Sequence, residues 1–296
     1  MSSEDVITQN IKINLYQSFY SNEHRQHLSK MVRPLNINGV LNDKTREFEL
    51  FKNIYQNFEN KKDAWGLISW KFNLKNIINV DEFLEFAAGQ IHAGADCVFI
   101  NPMIGNEAIF KNVWEQGLLL HKSMGKIVDY IMLRHGEDIN HFMGSTNFAF
   151  CNYFIAKPIF WEKYFHFIDS EINSLYIYAQ EDEQLRESLE NSANYSRDAK
   201  LSINPFVIER LFSLFVKINN DKMNIVNYPY DENKYIKKFG IKLGVYLWRL
   251  RILKDVYLKT NNDKYYIHWQ KLRNEGFKNG LIGIVLRIDD PEVYLY

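Results

Sequence analysis

Apolar residues along this chain recur at two spacings, and the spacing changes several times between the first residues and the last. Ile11 to Tyr16 (IKINLY) alternates as a strand does and runs into a polar loop. Phe48, Phe51, Tyr55 and Phe58 then fall three and four apart, which predicts a helix, and Trp65 to Phe72 (WGLISWKF) predicts a second strand. Asn79 is placed to cap the next helix, with Glu82 at its third position as in a capping box. Val80, Phe83, Leu84 and Ala87 make its apolar stripe, and Gly89 is expected to end it. Ala95 to Asn101 (ADCVFIN) reads as a buried strand stopped by Pro102, followed by a helix with Phe110, Val113 and Trp114 on one face.

Asn147 to Ala156 (NFAFCNYFIA) predicts a further strand. Pro158 opens a helix carrying Trp161, Tyr164, Phe165 and Ile168 on one side, since proline is tolerated in a first turn. Glu181 to Asp198 is acidic and reads as a loop or a solvated helix, and Ile208, Leu211, Phe212 and Phe215 mark a short helix after it. Strands alternating with helices predict an α/β sheet flanked by helices over residues 1–230.

From residue 231 the pattern changes. Between Asp231 and Gly280 there are twelve Lys or Arg against five Asp or Glu, around a stripe of Ile236, Phe239, Leu243, Tyr246, Leu247, Leu250, Leu253 and Tyr257. Residues 231–296 are therefore expected to form a basic helical extension. Its stripe either packs on the sheet or rests on an anionic membrane surface, at the cytoplasmic face of the inner membrane.

Composition narrows this picture in three ways. Of 296 residues, 46% are apolar and 15% aromatic, which is ample for a large core and also suits the flat floors on which sugar rings rest. A formal net charge of zero gives no general argument for nucleic-acid binding. The two cysteines, Cys97 and Cys151, sit in apolar runs and read as small buried hydrophobes in a reducing compartment. A polar, acidic start and the absence of a long apolar run predict a soluble protein that stays in the cytoplasm.

The sharp catalytic motifs are missing. The chain has no phosphate loop, no G-x-G-x-x-G, no H-E-x-x-H and no C-x-x-C, which argues against P-loop kinases, standard dinucleotide enzymes and zinc ribbons. His135 and His141 with Glu137 and Asp138 match no metal-ligand spacing and read as a solvated loop.

Three segments carry a resemblance. They are Gly66-Leu67-Ile68-Ser69-Trp70-Lys71, then Asn152-Tyr153-Phe154-Ile155-Ala156 with Phe160 and Tyr164, then Phe206 with Glu209-Arg210-Leu211-Phe212. In order and spacing they resemble small bacterial glycosyltransferases of capsule and lipopolysaccharide gene clusters, over residues 10 to 230. The resemblance implies a GT-A-like nucleotide-sugar-binding sheet, a nucleotide-sugar donor, and a polysaccharide or lipid-linked acceptor.

It also implies roles for particular residues. Tyr16, Gln17 and Ser18, past the end of the first strand, would hold the donor base, because ligands of open α/β sheets bind beyond the carboxyl ends of the strands. Ser69, Lys71, Asn101 and Arg210 would complete the donor site, and Asn152 and Tyr153 would face the acceptor. Glu209, at the start of a helix, would take the proton from the acceptor hydroxyl, or it merely complements the helix dipole.

The metal is where the chain departs from the resemblance. Many GT-A enzymes hold Mn²⁺ or Mg²⁺ with an Asp-x-Asp at the end of a central strand. Here Asp96 stands at the wrong end of its strand, and Asn101 stands where an Asp would be wanted. A metal-independent reaction would need Lys71, Lys157 or Arg210 to stabilise the leaving diphosphate. Two other readings stand beside the glycosyltransferase. One is a non-catalytic interaction protein that keeps the fold. The other is a methyltransferase, weakened by the lack of any glycine between Ile11 and Asn22.

Overall fold

The computed structural model describes residues 11–40, 45–57, 62–194 and 200–289. Phe58, residues 195–198 of the acidic stretch, and the ends 1–10 and 290–296 of the two expected regions lie outside it. In chain order the elements begin with β1 (Ile13–Phe19), β2 (Arg33–Asn36), α1 (Glu47–Asn57) and β3 (Ala64–Ser69). Then come α2 (Phe72–Lys75), α3 (Val80–His92), β4 (Cys97–Phe99), α4 (Ile104–Ile109), α5 (Val113–Leu120) and α6 (Gly125–His135). The middle of the chain forms β5 (Phe154–Ala156), α7 (Pro158–Tyr178), α8 (Glu183–Glu190), β6 (Ser192–Asn194), β7 (Lys200–Ser202) and α9 (Asn204–Asn219). The last part forms β8 (Ile225–Asn227), α10 (Glu232–Phe239), α11 (Ile241–Thr260), α12 (Asp263–Lys278) and α13 (Leu281–Asp289).

Six strands form one mixed sheet in the order β2-β1-β3-β5-β4-β8, while β6 and β7 pair with each other. Every neighbouring pair in the six is parallel except those made by β5, which runs antiparallel to both β3 and β4. That insertion explains Gly66. A Cβ built there would lie 2.2 Å from the Phe154 carbonyl oxygen and 2.9 Å from Ile155 Cγ1.

Alternation along the strands divides the core into two layers. Trp65, Phe154 and Phe99 face one side. There Trp65 stacks on Trp161 of α7 at 3.9 Å between ring centroids, and Phe154 stacks on Phe212 of α9 at 4.6 Å. Phe51 of α1 packs against the same group. Such ring pairs add roughly 0.5–1.5 kcal/mol each beyond their buried area. Ile68, Ile155 and Val98 project from the other face, where α3 packs against β4.

Local signals placed several elements as expected. Asn79 accepts the Glu82 amide at 2.8 Å and starts α3, and Pro158 occupies the first turn of α7. Gly89 does not end α3, which runs on to His92; the left-handed residue at that corner is Gly94, with φ of +108°. The expected strand at 147–156 shrinks to 154–156, because Cys151 and Asn152 take φ of 66° and 49°, values no strand permits. The acidic stretch is a helix at Glu183–Glu190, and it buries Leu185 and Leu189.

The basic extension is four helices, broken at Gly240. The stripe flagged in the sequence turns inward: Phe239, Leu247 and Leu250 are buried, and Leu243, Tyr246, Leu253 and Tyr257 pack against the core. Several of its polar groups satisfy the carbonyls left open where α4 ends. Lys254 Nζ donates to the carbonyls of Glu107 and Phe110, both at 2.6 Å. Trp269 Nε1 donates to Ala108 O at 2.9 Å, and Arg273 Nε to Ile109 O at 2.6 Å. Lys254 is 1% exposed, and burial brings its pKa down to about 8. No helix among the described residues is long and apolar enough to cross a membrane.

Two glycines give opposite expected outcomes in urea unfolding. Gly66→Ala should cost about 2–3 kcal/mol, because the carbonyl it meets is backbone and cannot swing away. Gly89→Ala, with nothing within 4 Å inside a helix, should add about 0.5–1 kcal/mol. Equal unfolding midpoints for the two variants would contradict the close strand approach.

Candidate functional site

An antiparallel strand begins at the edge where its parallel neighbours end. Residues 151–153, which lead into the strand between β3 and β4, therefore lie at the sheet edge formed by the carboxyl ends of β1, β3 and β4. Ile100 N–H donates to Tyr153 O at 3.0 Å, and the Tyr153 hydroxyl lies 2.5 Å from Ser69 Oγ at the tip of β3. Burial pushes the Tyr153 phenol up, so it is a neutral hydroxyl at physiological pH.

The segment before β5 is gripped by α9. Ser213 accepts the Ala149 amide at 3.0 Å and donates to its carbonyl at 3.1 Å. One turn earlier, Glu209 Oε1 accepts the Cys151 N–H at 2.7 Å. Glu209 thus lies in the second turn of α9, which begins at Asn204, and not at the helix start that the sequence suggested. Two consecutive non-glycine residues at positive φ, Cys151 and Asn152, are held in place by this grip.

Two oxygens stand out here, one on a partly exposed carboxylate and one on a buried amide. Glu209 keeps a side chain 24% exposed, and its Oε2 lies 3.7 Å from Arg210. Asn152 is only 7% exposed, and its Oδ1 has no hydrogen-bond partner among the described residues. A buried acceptor without a donor is a costly arrangement that a bound hydroxyl would relieve. Desolvation holds the Glu209 carboxyl above the ordinary glutamate value, against the pull of Arg210, the Cys151 N–H and Lys75. Lys75, at the end of α2, reaches Cys151 Sγ at 3.9 Å.

The other residues read from the sequence divide by position. Gln17 is fully buried and committed: its Nε2 donates to Ser69 O at 3.2 Å, and its Oε1 accepts from Ser29 N at 2.9 Å. Ser18 Oγ donates to Ile68 O at 3.4 Å. Both clamp β1 to β3 with their side chains, and their backbone lies in the ladders to β2 and β3. Tyr16 is half-buried, with Arg33 on its hydroxyl at 3.5 Å. Lys71 begins α2 at the same edge, 5.4 Å from the Trp70 ring centre.

Arg210 is spoken for. Its Nε donates to Val113 O at 3.0 Å and one terminal nitrogen to Phe206 O at 2.8 Å, while the other bonds Gln116. At 2% exposure it holds α9 against α5, and burial rather than a lack of N–H groups keeps it from a phosphate. Lys157 lies at the opposite sheet edge, its amide on Asp96 O. Among the three cations proposed for a leaving diphosphate, Lys71 alone is at the β1/β3 edge.

The metal candidates do not come together. Asp96 accepts the Asn224 amide at 2.9 Å at the start of β4. Asn101 donates to Glu107 at 3.1 Å and accepts from Met103 N at 3.0 Å, in a recess shared with Tyr228, Tyr230 and Arg251. An amide directing its NH₂ at the neighbouring carboxylate is the wrong pole for a cation. The described residues contain no group of three or more His, Cys, Asp or Glu fit to hold a metal. His135 is instead 3.1 Å from Glu171, and Glu137 bonds Lys217.

Sequence reading missed a flat aromatic pair at this edge. Trp70, directly after Ser69, lies against the His24 ring at 3.8 Å with 7° between planes, and His27 and Tyr20 flank it. The tryptophan stood inside a quoted motif, but its partner comes from a short 3-10 helix at Glu23–His27 that has no apolar pattern. Compared with protein families, curated proteins and solved structures, the chain shows no significant match to any.

Titration of Glu209 offers a check that needs no substrate. Its carboxyl ¹³C signal should titrate above 4.5. Because the folded pKa is raised, the group favours the fold at acid pH and loses that contribution as pH rises through the folded value. The stability of the native chain relative to Glu209→Gln should accordingly decline from about pH 4.5 upward. A difference flat with pH would refute the raised value.

Proposed function

We propose that the protein is a glycosyltransferase that moves a sugar from a nucleotide-sugar donor to a glycan or lipid-linked acceptor. The observation that carries this reading is the pairing of a partly exposed, desolvated Glu209 carboxylate with the unpartnered, buried Asn152 amide oxygen at the carboxyl edge of the sheet. An acceptor hydroxyl donating to Glu209 Oε2, with a neighbouring hydroxyl on Asn152 Oδ1, would be oriented and deprotonated as it attacks. Lys71, just past the tip of β3, would face the donor diphosphate, and the His24 ring stacked on the buried Trp70 would stand beside it. The α/β sheet with its ends grouped at one edge supports a GT-A-like reading.

A second reading is a protein that keeps the fold without chemistry. It draws on the bond between Glu209 and Cys151 N–H, which a purely structural glutamate would also make.

Thermal-shift measurements with UDP, GDP, CMP and dTDP, and with their common sugar conjugates, separate the two readings. A ligand that binds only the folded chain at a hundred times its Kd adds about 2.7 kcal/mol and raises the Tm. A shift with one nucleotide is expected, and repeating it with Mn²⁺ reports metal dependence. Glu209→Gln, which can still accept the Cys151 N–H, should keep that shift and lose transfer by about 10²–10⁴-fold. Full transfer by Glu209→Gln would remove it as the base, and no shift with any nucleotide would favour the non-catalytic protein.

A further inference from the structure

Helix α11 is apolar on two sides. Leu247, Leu250 and the buried Lys254 face the core. About half a turn away runs a second stripe: Ile241 at 74% exposure, Ile252 at 38%, and Val245 and Val256 half-buried between and beyond them. At 1.5 Å per residue this stripe extends about 22 Å along the helix. A helix apolar all round is ordinarily enclosed. Here α10 and α12 pack beside α11 and leave its outer face open.

Charge decides what that face suits. Lys242, Arg249 and Lys259 are exposed along it, and none forms an ion pair among the described residues. The single acidic residue of the helix, Asp255, is drawn to the side by Arg251 at 3.4 Å. The whole chain is neutral, so three unpaired cations around an apolar stripe are a segregation of charge, not its average. A second copy of the chain fits poorly, because a two-fold contact lays the same three cations against themselves. We propose that the outer stripe of α11 seats on an anionic lipid surface, with Ile241 and Ile252 entering the headgroup layer and Lys242, Arg249 and Lys259 facing lipid phosphates. This inference stands on the geometry of α11 alone and does not depend on the glycosyltransferase reading.

The test is co-sedimentation of the full chain with vesicles of phosphatidylglycerol and phosphatidylcholine, against vesicles of phosphatidylcholine alone. Binding is expected to the anionic vesicles, falling as salt rises from 0.05 to about 0.5 M because the Debye length shortens. Arg249→Gln should weaken partitioning about fivefold, the factor that corresponds to ~1 kcal/mol per basic side chain at the surface. Ile241→Ser with Ile252→Ser should weaken it further at unchanged Tm, since both positions are exposed. No binding to anionic vesicles, or equal binding by the variants and the native chain, overturns the proposal. So does concentration-dependent dimerisation that Ile241→Ser abolishes, which would assign the stripe to a second copy.

Discussion

One strand running against its neighbours organises this molecule. Because β5 lies between β3 and β4 in the opposite sense, its first residues arrive at the edge where the other strands finish. That delivers Asn152 and Tyr153 to Ser69 across 84 positions of sequence between the two hydroxyl-bearing residues. It also obliges the chain to turn sharply before entering the strand, and Cys151 and Asn152 take that turn at positive φ without the help of a glycine. Glutamate and serine on α9 hold the turn from the side, so the carboxylate that could do chemistry is also the one that stabilises the bend. The intimacy of the arrangement is visible at Gly66, where hydrogen is the only substituent the opposing carbonyl admits.

Behind this edge a layer of committed polar groups keeps the geometry fixed. Gln17 and Ser18 join two strand tips, and Arg210 joins α9 to α5 with three hydrogen-bonding nitrogens, none reaching the edge. These side chains resemble ligand-binding groups in type and spacing, yet their bonds are internal. The division of labour is physical: a buried donor must be satisfied within the fold, and once satisfied it has nothing left to offer a ligand. Asn152 Oδ1 is the contrasting case.

What could be read from the sequence follows the range of the interaction concerned. Asn79 and Pro158 mark helix starts because a cap or a first-turn proline acts within a few residues. The run 147–156 looked like one strand because its residues are apolar, but their burial comes from α9 and the backbone bends at 151 for reasons located 58 residues away. Gly89 was a plausible helix stop and sits in the helix, since nothing after it breaks the pattern before Gly94. In α11, aromatic and leucine positions announced the inner stripe. The outer one was hidden because Val245 and Val256 look the same in a sequence whether they face protein or water. Glu209 and Asn152 stand out in the sequence separately, through the two motifs that carry the resemblance, whereas Lys75 and His24 give no local sign.

The carbonyls that close α4 are answered by Lys254, Trp269 and Arg273, from helices far later in the chain. On the ribosome, α4 therefore emerges with its end unfinished. Between Phe110 and Arg273 some 163 residues must be added, roughly ten to thirty seconds of translation at ordinary rates. Through that interval the nascent sheet carries open hydrogen-bonding groups and an uncovered apolar flank. The closing of the fold thus waits on residues 254–273, and a chain interrupted before them is left as a client for chaperones and proteases.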